Sequence, residues 1–139
     1  MGVSEQDVLE DRIQDVRMRD HRFSRNAYYF ILDALDFTMS HMGKDQMTGE
    51  ERHVGGRELL HFIKDFASEQ FGPMAPVVFE QWGIRSSEDF GEIVFNLIDA
   101  ELLSRRPTDS RLDFVDGFDF QSVFAERHKK RLDRIAQRI

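Results

Sequence analysis

The chain has 139 residues, no cysteine and a formal net charge of −7, with 40% hydrophobic and 32% charged residues. That length supports one domain with a proper core. The missing cysteine excludes disulfides and thiolate zinc sites, and no apolar run approaches the roughly 18 residues of a membrane span. With no basic-then-apolar signal pattern at the N-terminus, a cytoplasmic protein without a membrane partner is expected.

The charge is segregated along the chain. Residues 126–139 hold six basic residues (Arg127, Lys129, Lys130, Arg131, Arg134, Arg138) against Glu126 and Asp133. Residues 12–25 hold Arg12, Arg17, Arg19, Arg22 and Arg25 against Asp15 and Asp20. Between them, residues 26–125 carry 8 basic and 18 acidic residues. Two basic ends thus flank an acidic body, and folding back onto it would offset its charge.

In chain order, residues 5–20 place Val8, Leu9, Ile13, Val16 and Met18 in a thin apolar stripe, which predicts a surface helix docked by one edge. Ser24 is placed to cap a stronger helix over 25–42, apolar through Tyr28, Ile31, Leu32, Leu35 and Met39 and, on a second face, Phe30, Ala34 and Phe37. Gly43 stops it. The polar, glycine-rich segment 43–56 reads as the longest loop. A helix over 57–71 follows, with Leu59, Leu60, Ile63, Phe66 and Ala67 at helical spacing and Glu58 placed to close its first turn onto Gly55. Gly72-Pro73 ends it and starts a short helix over 73–82, bounded by Gly83.

Ser86 or Ser87 then caps a helix over 88–101 with the cleanest stripe of the chain: Phe90, Ile93, Val94, Leu97 and Ile98. Beyond it the period changes to two. Leu112 and Phe114 alternate, Asp116-Gly117 is a two-residue hairpin signal, and Phe118 and Phe120 follow. A last helix over 121–139 lines up Phe124, His128, Leu132, Ile135 and Ile139, a stripe narrow enough to dock on the body or pair with another subunit. The expected fold is mainly α with a small antiparallel β-hairpin, winged-helix-like. Its parts are a docking helix in 1–24, a core domain over 25–121 with the hairpin at about 102–120, and a basic terminal helix over 122–139.

The segments YFILDALDFT (29–38), HVGGRELL (53–60), FGPMAPVVFEQWGI (71–84), DFGEIVFNLIDAELL (89–103) and DSRLDF (109–114) together resemble an uncharacterised family of short conserved hypothetical proteins of planctomycetes and verrucomicrobia. The resemblance covers residues 25–125 and implies no activity. The family pattern carries Thr where Gly55 stands, which implies a weaker cap at Glu58.

Few residues carry a chemical signal. Glu58-x-x-His61 puts two ligand types on one helix face with His53 nearby, but a di-iron bundle needs two such motifs and zinc three fixed ligands, so no metal site is expected. Asp109, Asp113, Asp116 and Asp119 lack the spacing of a calcium loop and read as turn residues. No phosphate loop or nucleophile elbow occurs, no catalytic residue can be assigned, and no cofactor is implied.

Three functions stay open. One is a non-catalytic protein-interaction module with a protein partner or as a homodimer through its first or last helix, using the acidic helix face Glu88, Asp89, Glu92 and Asp99. The second is a winged-helix nucleic-acid binder with Arg105, Arg106 and Arg111 on the wing, disfavoured because the reading helix would bring acids to the phosphates. The third is a ligand-binding or enzymatic domain using the 43–58 loop, with His53, Arg57, Glu58 and His61 around a concavity.

Overall fold

A computed structural model describes residues 5–138; the first four positions of the N-terminal segment and Ile139 of the final stripe lie outside the described residues. Six α-helices form among them: α1 (Glu5–Arg19), α2 (Arg25–His41), α3 (Gly56–Phe71), α4 (Ala75–Gln81), α5 (Ser87–Asp99) and α6 (Phe120–Ala136). Short 3-10 turns occupy Gly49–Arg52, Gly72–Met74 and Arg111–Phe114. No helix among the described residues is long and apolar enough to cross a membrane.

The two-faced apolar pattern of α2 puts it at the centre. Ala27, Tyr28, Phe30, Ile31 and Ala34 are buried, α3 packs along one side, and α5 crosses another. Phe30 is the hub of an aromatic cluster, 5.4 Å from the rings of Phe66 and Phe79 and 5.6 Å from Trp82. Phe79 extends the cluster to Phe120 at 5.3 Å and Phe124 at 5.9 Å, which anchors the first half of α6. From Lys129 onward every described residue of α6 is exposed. Gly43, at φ +68°, follows the end of α2 in the left-handed conformation that a helix stop favours.

The thin stripe of α1 buries Ile13 and Val16 against α2 and α5. Two of its arginines bind backbone carbonyls: Arg12 donates to Ala100 O, and Arg17 Nε to Phe23 O at 3.3 Å. Beyond α1, Asp20 accepts from Arg22 Nη2 at 2.7 Å and from Asn96 Nδ2 at 2.9 Å, while the same Asn96 amide donates to Tyr28 Oη at 3.0 Å. A turn, the central helix and α5 are joined at that amide. Gly83 closes the same corner at φ +89°, and a Cβ there would stand 2.0 Å from Arg22 O.

No strand forms among the described residues, which overturns the expected β-hairpin over 102–120 and with it the winged-helix-like architecture. The cause is local side-chain capture of backbone groups. Ser110 Oγ accepts the Leu112 N–H at 3.1 Å, and Asp113 accepts the Ser110 N–H at 3.2 Å. This capping box winds 111–114 into a turn of 3-10 helix. Leu112 and Phe114 therefore do not share a face: one is 72% exposed, the other 2%. Further on, the first turn of α5 supplies the partners a second strand would have supplied. Ser87 Oγ donates to Phe114 O at 2.6 Å and accepts from Gly117 N at 2.9 Å, and Glu88 Oε1 accepts from Asp116 N at 3.0 Å. That backbone bond is the main reason the Glu88 carboxyl is held below its usual range.

Phe114 reaches into the body between α3 and α5 at two glycines. A Cβ on Gly56 would come within 2.8 Å of its ring, and one on Gly91 within 2.9 Å. Both positions need the absent side chain to admit the ring. Phe114→Ala should cost about 3–5 kcal/mol, as for other buried aromatics, read as a lower urea midpoint with an unchanged slope.

The Asp20 carboxyl is held far below the usual range, chiefly by its hydrogen bonds with Arg22, with burial opposing and Asn96 reinforcing. A folded-state value below the unfolded one gives stability that is present above about pH 4 and is lost as the pH falls towards the folded value. Asp20→Asn should lower the melting temperature at neutral pH, and the deficit should shrink as the pH drops below about 4.

Candidate functional site

The loop that precedes α3 and the segment that follows α5 face each other across the ends of α2, α3 and α5. They enclose a cleft of about 680 Å³. Its floor is hydrocarbon: Leu35 and Met39 from α2, Val94 and Ile98 from α5, and Leu102 and Leu103 from the segment beyond. These are the outer stripes of α2 and α5, half-buried because no helix covers them. The chain leaves α5 through Glu101 at φ +60°, with Leu102 N donating to Leu97 O at 2.9 Å, and this reversal turns Leu102 and Leu103 back onto the floor.

One polar contact ties the two walls. His53 Nε2 lies 2.9 Å from Asp109 Oδ2 and 3.2 Å from Oδ1, with the side chains only 11% and 13% exposed. Each partner is itself held. Lys44 Nζ donates to His53 O at 2.7 Å, and Asp109 Oδ2 accepts from Arg106 N at 2.7 Å. Arg105 donates to Asp109 O at 3.1 Å, and its guanidinium stands 5.3 Å from the Phe95 ring centroid, with Arg111 4.6 Å from the same centroid. The mouth of the cleft carries Arg52, Arg105 and Arg106 with Glu50, Asp109 and Asp113.

The residues singled out in the sequence are thereby redistributed. His53 lines the cleft; Arg57 and His61 are exposed and do not. Glu58 accepts the Gly55 N–H at 2.9 Å, so the expected half of a capping box forms without a hydroxyl residue. His61 meets Phe62 edge-on at 5.1 Å, and among the described residues no three His, Cys, Asp or Glu side chains converge on one point. Arg105 and Arg106, read as wing residues, belong to the cleft instead. Arg111 pairs with Glu92 at 3.2 Å. On the acidic face of α5, Glu88 holds Asp116 N, Asp89 accepts from Arg85 N at 2.8 Å, Glu92 binds Arg111, and Asp99 is exposed. The sequence signal for the cleft was the pair His53 and Asp109, 56 residues apart, and nothing in a linear pattern joins them.

A second concavity, of about 940 Å³, lies between α6 and the α3–α4 junction. Phe71 and Phe124 form its base, Arg127 and Asp65 pair across it at 2.5 Å, and Ser68 Oγ and His128 Nδ1 are buried there without a hydrogen-bond partner. It is the larger hollow, but its outer wall is the solvent-exposed half of a single helix. The cleft at His53 is lined from α2, α3, α5 and both loops, and it joins a broad apolar floor to the His53–Asp109 contact that ties its walls, the usual mark of a ligand site.

Comparison of the chain with family models, with curated proteins and with solved structures finds no match.

Proposed function

We propose that the protein is a small-molecule-binding domain that takes an apolar-bodied ligand in the cleft between the 49–56 and 102–114 segments. One observation carries this reading: an uncovered hydrocarbon floor enclosed by two loops that a nearly buried His53–Asp109 contact holds together. The volume of about 680 Å³ falls within the span of small-molecule sites. The floor residues would gain what any apolar group gains on leaving water, about 25 cal/mol per Å². The nucleic-acid reading keeps no support in the fold, because its arginines sit on the cleft and on Phe95.

The test is a neutral amphiphile. Decan-1-ol below its solubility limit should raise the melting temperature with rising concentration and shift methyl resonances of Leu35, Val94 and Leu102. Val94→Trp and Leu103→Trp, which fill the floor from opposite sides, should abolish both effects while circular dichroism stays helical. No shift in the intact protein, or equal shifts in both tryptophan variants, would end the ligand reading.

A second reading, of self-association, rests on α6. Its exposed half carries Leu132 and Ile135, 49% and 42% exposed, among Lys129, Lys130, Arg131 and Arg134. Like charges oppose pairing of two such helices, whereas the acidic body of a second copy complements them. Light scattering should give a dimer that dissociates with added salt and with Leu132→Glu plus Ile135→Glu; a monomer at every concentration at low salt would remove this reading.

A further inference from the structure

We infer that the cleft selects an amphiphile with one anionic head group, a carboxylate or a phosphate monoester, and that Arg52 and Arg106 hold that head at the mouth. The inference rests on the ligand-binding reading of the same cleft and adds the chemistry of what enters it.

The first ground is the charge balance. Over residues 26–125 acids outnumber bases by 18 to 8, yet three of those eight bases (Arg52, Arg105 and Arg106) stand at this one mouth. The acids beside them are largely committed elsewhere. Asp109 takes His53 on both oxygens and the Arg106 backbone N–H on one of them. Asp113 takes the Ser110 N–H in the capping box. Glu50 is the remaining carboxylate of the lining.

The second ground is the state of the cations. Arg105 is occupied by Asp109 O and the Phe95 ring. The side chains of Arg52 and Arg106 make no hydrogen bond or ion pair among the described residues, and Arg106 Nε is buried without any partner. A guanidinium N–H buried unpaired is costly, and a planar fork of donors is matched by the two oxygens of a carboxylate or the oxygens of a phosphate. Nε itself is closed to solvent, and the Nη atoms of the same guanidinium, which have no partner among the described residues, are the donors that an anion at the mouth can reach. The hydrocarbon floor has no group that would pair with a second charge, which limits the ligand to a single head with an apolar body.

The third ground is rigidity. Arg106 follows directly on the segment fixed by Leu102 N to Leu97 O, and its own N–H is fixed by Asp109, which His53 holds. The backbone that carries the head-group donor is therefore set before a ligand arrives, and preorganised donors lose less on binding. Arg52 lies on the opposite wall in the Gly49–Arg52 turn, so a head group between the two would bridge the walls where His53 and Asp109 already join them.

The experiment is calorimetric titration of the full chain with decanoate, decyl phosphate, decan-1-ol and acetate under one buffer and salt. Decanoate or decyl phosphate should bind about tenfold more tightly than the alcohol, the increment of one charge-assisted pair, and acetate should not bind measurably. Whichever of the two anions binds more tightly identifies the head. Arg106→Gln should bring the anion down to within about threefold of the alcohol titrated into the same variant. Arg52→Gln, on an exposed turn where folding is not at stake, should do the same in part. Alcohol bound as tightly as both anions would overturn the head-group inference while the cleft reading stands. Anion preference unchanged in both variants would overturn the assignment to these arginines. Binding of none of the long-chain probes would overturn the cleft reading itself.

Discussion

The insertion of Phe114 between α3 and α5 is the contact on which the rest of the molecule depends. Each helix presents a glycine to it, Gly56 from α3 and Gly91 from α5, and the ring occupies the space their side chains would have filled. Three consequences meet there. The long segment between α5 and α6 is pinned across the body, Ser87 and Glu88 can reach its backbone, and its upstream half is left to wall the cleft. An aromatic wedge in a close-packed interior permits little drift, so the position of Asp109 opposite His53 follows from where Phe114 is seated.

Most of the helical architecture was legible in the sequence because it follows from the 3.6-residue period and its punctuation. The start of α2 after Ser24, the stop at Gly43, the Gly72-Pro73 break and the α5 stripe all stand where apolar spacing and special backbone residues put them. Ser24 takes the capping position without making the capping bond, since its Oγ is buried and unpartnered. The segment after α5 was misread because two signals competed. Leu112 and Phe114 alternate, and Asp116-Gly117 resembles a hairpin turn, but Ser110-x-x-Asp113 is a capping box that fixes the local conformation first. A strand also needs a partner ladder, and here the backbone groups of 114–117 are taken by α5 side chains.

The cleft was not legible for a different reason. Its floor comes from two helix stripes that each looked like ordinary core, and its mouth from residues assigned to separate features: His53 to a weak metal motif, Arg105 and Arg106 to a wing. Only the path of the chain brings them together. The uneven charge, by contrast, was readable and informative. Three of the five N-terminal arginines, Arg12, Arg17 and Arg22, are spent on carbonyls and on Asp20, whereas the C-terminal ones, beyond Arg127, remain on an exposed arm.

The aromatic hub has an optical consequence. Trp82, the chain's sole indole, sits 5.6 Å from both Phe30 and Phe71, 6.3 Å from Phe79, and is not part of the cleft lining. Its emission therefore reports the integrity of the Phe30–Phe79 cluster and stays blind to direct contact with anything held near His53. The molecule carries an intrinsic fluorophore that separates unfolding from occupancy, so a ligand that changes the emission does so by moving the core.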